Sequence, residues 1–164
     1  MSINSVITTD TAFAIDSSSI HFGPGVTREV GFEMRRLGAK RVMVLTDPRL
    51  NASLAVDITM ESLAAEGVEA VLYDRCEVEP TDVSFKDAIQ FAIEGQYDGY
   101  VGVGGGSSID TCKAANLYAT YPADFLDYVN APIGRGKLAP GPLKPMIAIP
   151  TTAGTGSETT GAAI

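Results

Sequence analysis

Apolar positions along the chain come in two alternating patterns. Four stretches are short and nearly continuously apolar: KRVMVLTDP over 40–48, VEAVLYD over 68–74, YVGV over 100–103 and PMIAIPTT over 145–152. Runs of this length, rich in β-branched and aromatic residues, predict strands, with those at 40–48 and 100–103 buried within a sheet. Between them the spacing changes to three and four residues. Val30, Met34 and Leu37 share one face of a predicted helix over 27–37 that stops at Gly38, with Gly31 tolerated inside it. Asn51 opens a second helix over 51–66, closed by Gly67, with Leu54, Ile58 and Leu63 as its apolar positions. Pro80-Thr81-Asp82 opens a third, through about Glu94, with Phe85, Ile89 and Ala92 facing inward. Strand and helix alternate three times, which predicts a single α/β domain: a mainly parallel sheet flanked by helices, joined by right-handed crossovers.

The flanks differ. Residues 1–10 are polar and loosely held, and strand-like pieces follow at 13–15 and 19–22 before Gly23-Pro24-Gly25 ends them. Residues 120–145 carry prolines at 122, 132, 140, 142 and 145 and read as a surface excursion, either functional or a plain connector. Within it, Asp124 and Asp127 suit a short solvated helix better than a ligand pair.

The third strand runs into Gly104, Gly105 and Gly106 and then into a helix start. Three glycines let the backbone take positive φ and let a ligand approach without meeting a Cβ. Ser107 and Ser108 can cap the next helix, whose first N–H groups and dipole attract anions. A phosphate fits there. Gly102-x-Gly104 is followed by Ser107 where the dinucleotide fingerprint has a third glycine, so the stretch serves equally as a tight strand-to-helix turn.

Composition narrows the function classes. Twelve Lys plus Arg against twenty Asp plus Glu give a net charge of −8, which argues against a surface that tracks nucleic-acid phosphates. No apolar run reaches the roughly 20 residues that span a bilayer, and the N-terminus lacks a signal-peptide layout. Together these place the protein in the cytoplasm, away from membranes. Cys76 and Cys112 lie outside any C-x-x-C spacing and read as reduced core residues. The single histidine, His21, suits a surface or strand-packing role, and a His-based metal site cannot be built from this chain alone.

Ligands of open α/β sheets bind beyond the carboxyl ends of the strands. At the first such end Asp47 can accept hydrogen bonds from an adenosine ribose diol and would repel a 2′-phosphate; it can equally cap a helix. At the second, backbone N–H groups and Ser107 suit a pyrophosphate, with Asp110 to cap or orient. At the third, PTTAGTGSETT offers the hydroxyls of Thr151, Thr152, Thr155, Ser157 and Thr160, opened by Gly154 and Gly156. These suit a ribose or an amide, or an ordinary turn. Arg135 and Lys137 are the cations an acidic substrate would need, or solvated loop charges.

GGGSSIDTCKAAN together with IPTTAGTGSETT closely resembles the metal-dependent, iron-containing alcohol dehydrogenases, from FGPG through LTDP to the end of the chain. Within that family, DFLDYVNAPIGRGK and the GSETTGAAI ending are most similar to hydroxyacid-oxoacid transhydrogenases, which interconvert 4-hydroxybutyrate and 2-oxoglutarate with succinic semialdehyde and 2-hydroxyglutarate. The resemblance implies a Rossmann-like domain similar to the N-terminal domain of dehydroquinate synthase, with a helical domain to follow. It implies NAD as cofactor: Asp47 on the adenosine ribose, Gly104, Gly105, Gly106 and Ser107 at the pyrophosphate, and Thr151, Thr152, Thr155 and Thr160 along the adenine and nicotinamide side. It also implies a small alcohol or hydroxyacid substrate, a homo-oligomer at full length, and a divalent iron or zinc held by one aspartate and three histidines downstream of PTTAGTGSE. On this reading residues 1–164 are a domain cut before its metal half, able to bind dinucleotide weakly and to catalyse nothing alone. Two further readings stay open: a dehydroquinate-synthase-like NAD-dependent lyase and a nucleotide-binding module without chemistry.

Overall fold

The computed structural model describes residues 18–161 and 163. The strand expected at 13–15 and part of the run at 161–164 lie outside these residues. Helix α1 (Val30–Arg36) follows a 3-10 turn over Val26–Glu29. Then come β1 (Arg41–Leu45), α2 (Leu54–Ala65), β2 (Glu69–Tyr73), α3 (Asp82–Gly95), β3 (Gly99–Gly104), α4 (Gly106–Thr120) and β4 (Met146–Pro150). The strands form one sheet in the order β2-β1-β3-β4, and every pairing is parallel. The predicted α/β architecture with a parallel sheet is the observed one.

Both faces of the sheet are covered. Along β1, Val42 and Val44 join Met34, Val56 and Leu63 of α1 and α2 on one side, and Met43 and Leu45 join Ala88, Ala92 and Cys112 of α3 and α4 on the other. Alternate side chains of a strand point to opposite faces, so a strand covered on both sides must be apolar throughout. Each fully buried Val or Leu contributes about 1.5–3 kcal/mol, which makes β1 the anchor of the domain.

Three sequence expectations change. α2 starts at Leu54, capped by Ser53, whose Oγ accepts from the Val56 N–H at 3.4 Å. Its buried positions are Val56, Thr59 and Leu63, while Leu54 is 73% exposed. Asn51 instead donates to Asp74 Oδ2 at 3.1 Å. Residues 19–22 form no strand, and Phe22 is 98% exposed; among the described residues no neighbouring strand supplies the ladder that would fix them. On α1, Val30 and Met34 are buried as predicted but Leu37 is exposed at the helix end.

Close packing of α1 on α2 is the reason α1 carries a poor helix former, Gly31. A Cβ there would fall 2.0 Å from the Ser62 carbonyl oxygen of α2, and the Gly31 N–H donates to Ser62 Oγ at 2.9 Å. The excursion is likewise ordered. Asp124 caps a 3-10 turn over Phe125–Asp127, and Asp127 is buried. Asp127 pairs with Arg135 and with Lys137 Nζ at 3.0 Å, so both cations are tied within their own loop.

Candidate functional site

The chain leaves β1 toward β2 and returns on the opposite side for β3. The carboxyl ends of β1 and β3 therefore diverge into a crevice, the place where open α/β sheets receive ligands. Asp47 stands at the β1 side, half-buried. Its Oδ1 accepts from the Arg49 N–H at 2.8 Å and its carbonyl from the Leu50 N–H at 3.0 Å, a turn made by an aspartate with its own following backbone. Since Ser53 caps α2, Asp47 is not that helix's cap. A hollow of about 440 Å³ opens beside it, lined by Pro48, Arg49, Arg75, Cys76, Glu77 and Val78.

The glycine turn forms the other wall. Gly104 has φ 152°, and a Cβ on it would lie 2.8 Å from Ser108 Cβ. Gly105 is the N-cap of α4 and brings no side-chain hydrogen bond. No side-chain cap takes up the first N–H groups of α4, an arrangement that suits an anion. Neither serine caps this helix. Ser107 Oγ donates to the Val78 carbonyl oxygen, tying the glycine turn to the lining of the hollow beside Asp47. Ser108 is buried.

The third strand end closes over the second. The Thr151 N–H donates to Gly104 O at 2.9 Å. Cβ atoms on Gly105 and Gly106 would come within 3.3 Å of Thr152 Oγ1 and 2.9 Å of Ser157 Oγ, so a side chain on either glycine would press into the hydroxyl-bearing turn. Thr151, Thr152, Thr155 and Thr160 are exposed on it, whereas Ser157 is buried. Asp110, also buried, faces inward: Oδ1 meets Lys113 Nζ at 3.1 Å and Oδ2 meets Ser157 Oγ at 3.4 Å. Lys113 Nζ reaches Thr160 Oγ1 at 3.1 Å. All three predicted strand ends thus meet in one place. Sequence reasoning missed Lys113 and the Val78 carbonyl; the i,i+3 spacing of Asp110 and Lys113 on a helix was the available signal for the first.

The two cysteines lie under this region as core residues. Burial pushes the Cys76 thiol up to about 12 and the Cys112 thiol well above its ordinary value, so both are protonated at neutral pH and neither is an activated nucleophile. His21 sits at the surface with Nδ1 2.8 Å from Glu29 Oε2. Among the described residues no three His, Cys, Asp or Glu side chains gather in a way that could hold a metal ion.

Residues 17–164 match the family model described as iron-containing alcohol dehydrogenase. The chain belongs to that family. It is 58% identical over 158 residues to the mitochondrial hydroxyacid-oxoacid transhydrogenase of Rattus norvegicus, covering 96% of this chain and 34% of that protein. Among solved structures, a 1,3-propanediol oxidoreductase superposes with a TM-score of 0.80 at 34% identity, over 91% of this chain and 38% of its own. The NADH-dependent butanol dehydrogenase A of Thermotoga maritima gives a TM-score of 0.81 at 25% identity, over 92% of this chain and 37% of its own. The chain spans about a third of the length of the curated relatives it matches. The N-terminal α/β fold of the iron-containing alcohol dehydrogenases is therefore the fold seen here.

One expectation is overturned. The transhydrogenase relatives of rat, human and Dictyostelium discoideum are mitochondrial by name, which points to the mitochondrion and away from the cytoplasm. Charge and hydropathy separate membrane spans from water-exposed domains, but they do not tell one aqueous compartment from another.

Proposed function

We propose that this chain is the NAD-binding part of a mitochondrial, metal-dependent alcohol dehydrogenase that acts as a hydroxyacid-oxoacid transhydrogenase. The observation that carries this reading is the uncapped start of α4, set at the sheet's switch point between Asp47 and the hydroxyl turn. A dinucleotide is an anion flanked by two riboses, and the crevice offers matching chemistry in that order. N–H groups at Gly105, Gly106 and Ser107 would hold the pyrophosphate, and the Asp47 carboxylate would take the adenosine ribose hydroxyls beside the hollow. Thr151, Thr152, Thr155 and Thr160 would offer hydroxyls along the remaining ribose and amide edge.

When bound, NAD supplies a hydride acceptor and, once reduced, a hydride donor. The work of these residues is to orient the dinucleotide so that a hydroxyacid can be oxidised and an oxoacid reduced at the same nicotinamide position. A hydroxyacid substrate fits the names of the relatives, and a 4-hydroxybutyrate-like one fits the resemblance of DFLDYVNAPIGRGK to that group. A metal of the family would need donors beyond those gathered here, since the sequence offers one histidine, His21, and it lies on an exposed surface.

Asp47→Ala in the full-length protein tests the ribose assignment. Losing a charge-assisted hydrogen bond lowers NAD affinity about tenfold while NADP affinity holds or rises. Unchanged NAD affinity would mean that Asp47 does not face the ribose.

A further inference from the structure

The hydroxyl turn has no ladder to hold it. β4 ends at Pro150, and residues 151–161 form neither helix nor strand. Thr151 to Thr155 are exposed, and Gly154 and Gly156 sit at φ 104° and 71°, so the turn contains two points of easy backbone motion. It is tied down at its ends. The Thr151 N–H holds the start to Gly104 O. At the far end, Asp110 Oδ2 meets the buried Ser157 hydroxyl and Lys113 Nζ meets Thr160 Oγ1, while Asp110 and Lys113 pair with each other. Side-chain exposures of 7% for Asp110 and 16% for Lys113 keep the pair out of bulk water, where such pairs are weak.

The location carries a second consequence. Asp110 lies one turn inside the start of α4, so an unpaired carboxylate there would repel the anion that the start of the helix attracts. Lys113 neutralises it in place.

We propose that Asp110 and Lys113 form a latch that sets the hydroxyl turn at its working distance from the glycine turn before any ligand arrives. They are positioning residues, acting through Ser157 and Thr160, and the gain is preorganisation: a wall already in place is not ordered at the moment of binding. The effect on the cofactor rests on the crevice being the dinucleotide site; the latch itself is a property of the free protein.

The two ideas separate in one experiment. Hydrogen exchange of backbone amides at 151–160 is followed in the full-length protein without nucleotide, alongside titration with NAD, for the unaltered protein, Lys113→Met, Asp110→Asn with Lys113→Met, Lys113→Arg and Ser157→Ala. Lys113→Met speeds exchange across 151–160 about tenfold without NAD and weakens NAD binding by a similar factor. The double variant keeps the fast exchange but regains part of the affinity, because the negative charge close to the start of α4 is gone as well. Lys113→Arg keeps both properties near the starting values, and Ser157→Ala speeds exchange by a smaller factor than Lys113→Met. Exchange at 151–160 unchanged in both Lys113→Met and Ser157→Ala overturns the latch, whatever happens to affinity. Faster exchange in a protein that binds no NAD even unaltered upholds the latch and removes the dinucleotide reading.

Discussion

The glycine turn at 104–106 and the excursion at 121–145 are both breaks in regular structure rich in Gly or Pro, and they use that freedom in opposite ways. The excursion closes on itself. Its Arg135, Gly136 and Lys137 N–H groups donate to the carbonyls of Leu126, Val129 and Asp127, and the Arg135 and Lys137 side chains pair with Asp127. The glycine turn does the reverse: it starts a 15-residue helix with no side chain on the N-terminal N–H groups. A buried or half-buried polar group left without an internal partner invites a ligand. Gly-rich composition alone therefore does not mark a site; what separates the two regions is where their backbone donors go.

Substitutions that reverse this contrast should have different readouts. The largest effect is expected for Gly104→Ala, where a Cβ meets Ser108 and the φ of 152° disfavours any side chain. NAD affinity of the full-length protein falls on the order of 100-fold, about 2.7 kcal/mol, by titration calorimetry. A change within about threefold would place the dinucleotide elsewhere. Gly134→Ala is the mirror case, because its Cβ would lie 2.2 Å from the Val129 carbonyl oxygen. Here the melting temperature drops by about 5 °C while NAD affinity is retained. A loss of affinity larger than the loss of stability would make the excursion part of the site.

A smaller effect separates the excursion by pH. Hydrogen bonds from Arg135 and Lys137 hold the Asp127 carboxyl below its ordinary value. A lowered folded value means that this contribution to stability is complete above the unfolded value near about 4 and is lost as pH falls through the folded value. Asp127→Asn should therefore flatten the acid side of the stability curve in that window while leaving the neutral side of NAD binding unaltered. Melting temperature measured between pH 7 and pH 3 in both forms checks it.

Much of the fold was legible because the strands are apolar on both faces. Val42 to Leu45 has to be covered twice, and only a sheet with helices on each side does that. Helix α2 was less legible. Asn51 and Ser53 are both good caps; Ser53 takes the helix start while Asn51 turns to Asp74, a contact across 23 residues that local pattern does not encode. The same holds at the site. The three polar strand ends could be read one by one, and sheet order then brought them together. That Asp110 faces Ser157, or that Ser107 reaches Val78, depends on contacts across 47 and 29 residues of sequence, which local pattern does not encode. Residues 19–22 failed for the complementary reason, since alternation makes a strand only when a neighbour is there to pair with it.

Strand β1 lies inside the sheet yet comes first among the strands of the described residues. During synthesis it meets β2 early, across the 12-residue α2, as one local βαβ unit. Its other edge, with four register pairs to β3 from Val42↔Gly99 to Leu45↔Gly102, has to wait until residue 102 has left the ribosome. In that interval an apolar strand edge is open to any other nascent chain, and unpaired edges of this kind are where aggregation begins. The stretch that builds the candidate crevice is thus also the stretch that ends this vulnerable period, so lesions in β3 should lower the yield of folded protein.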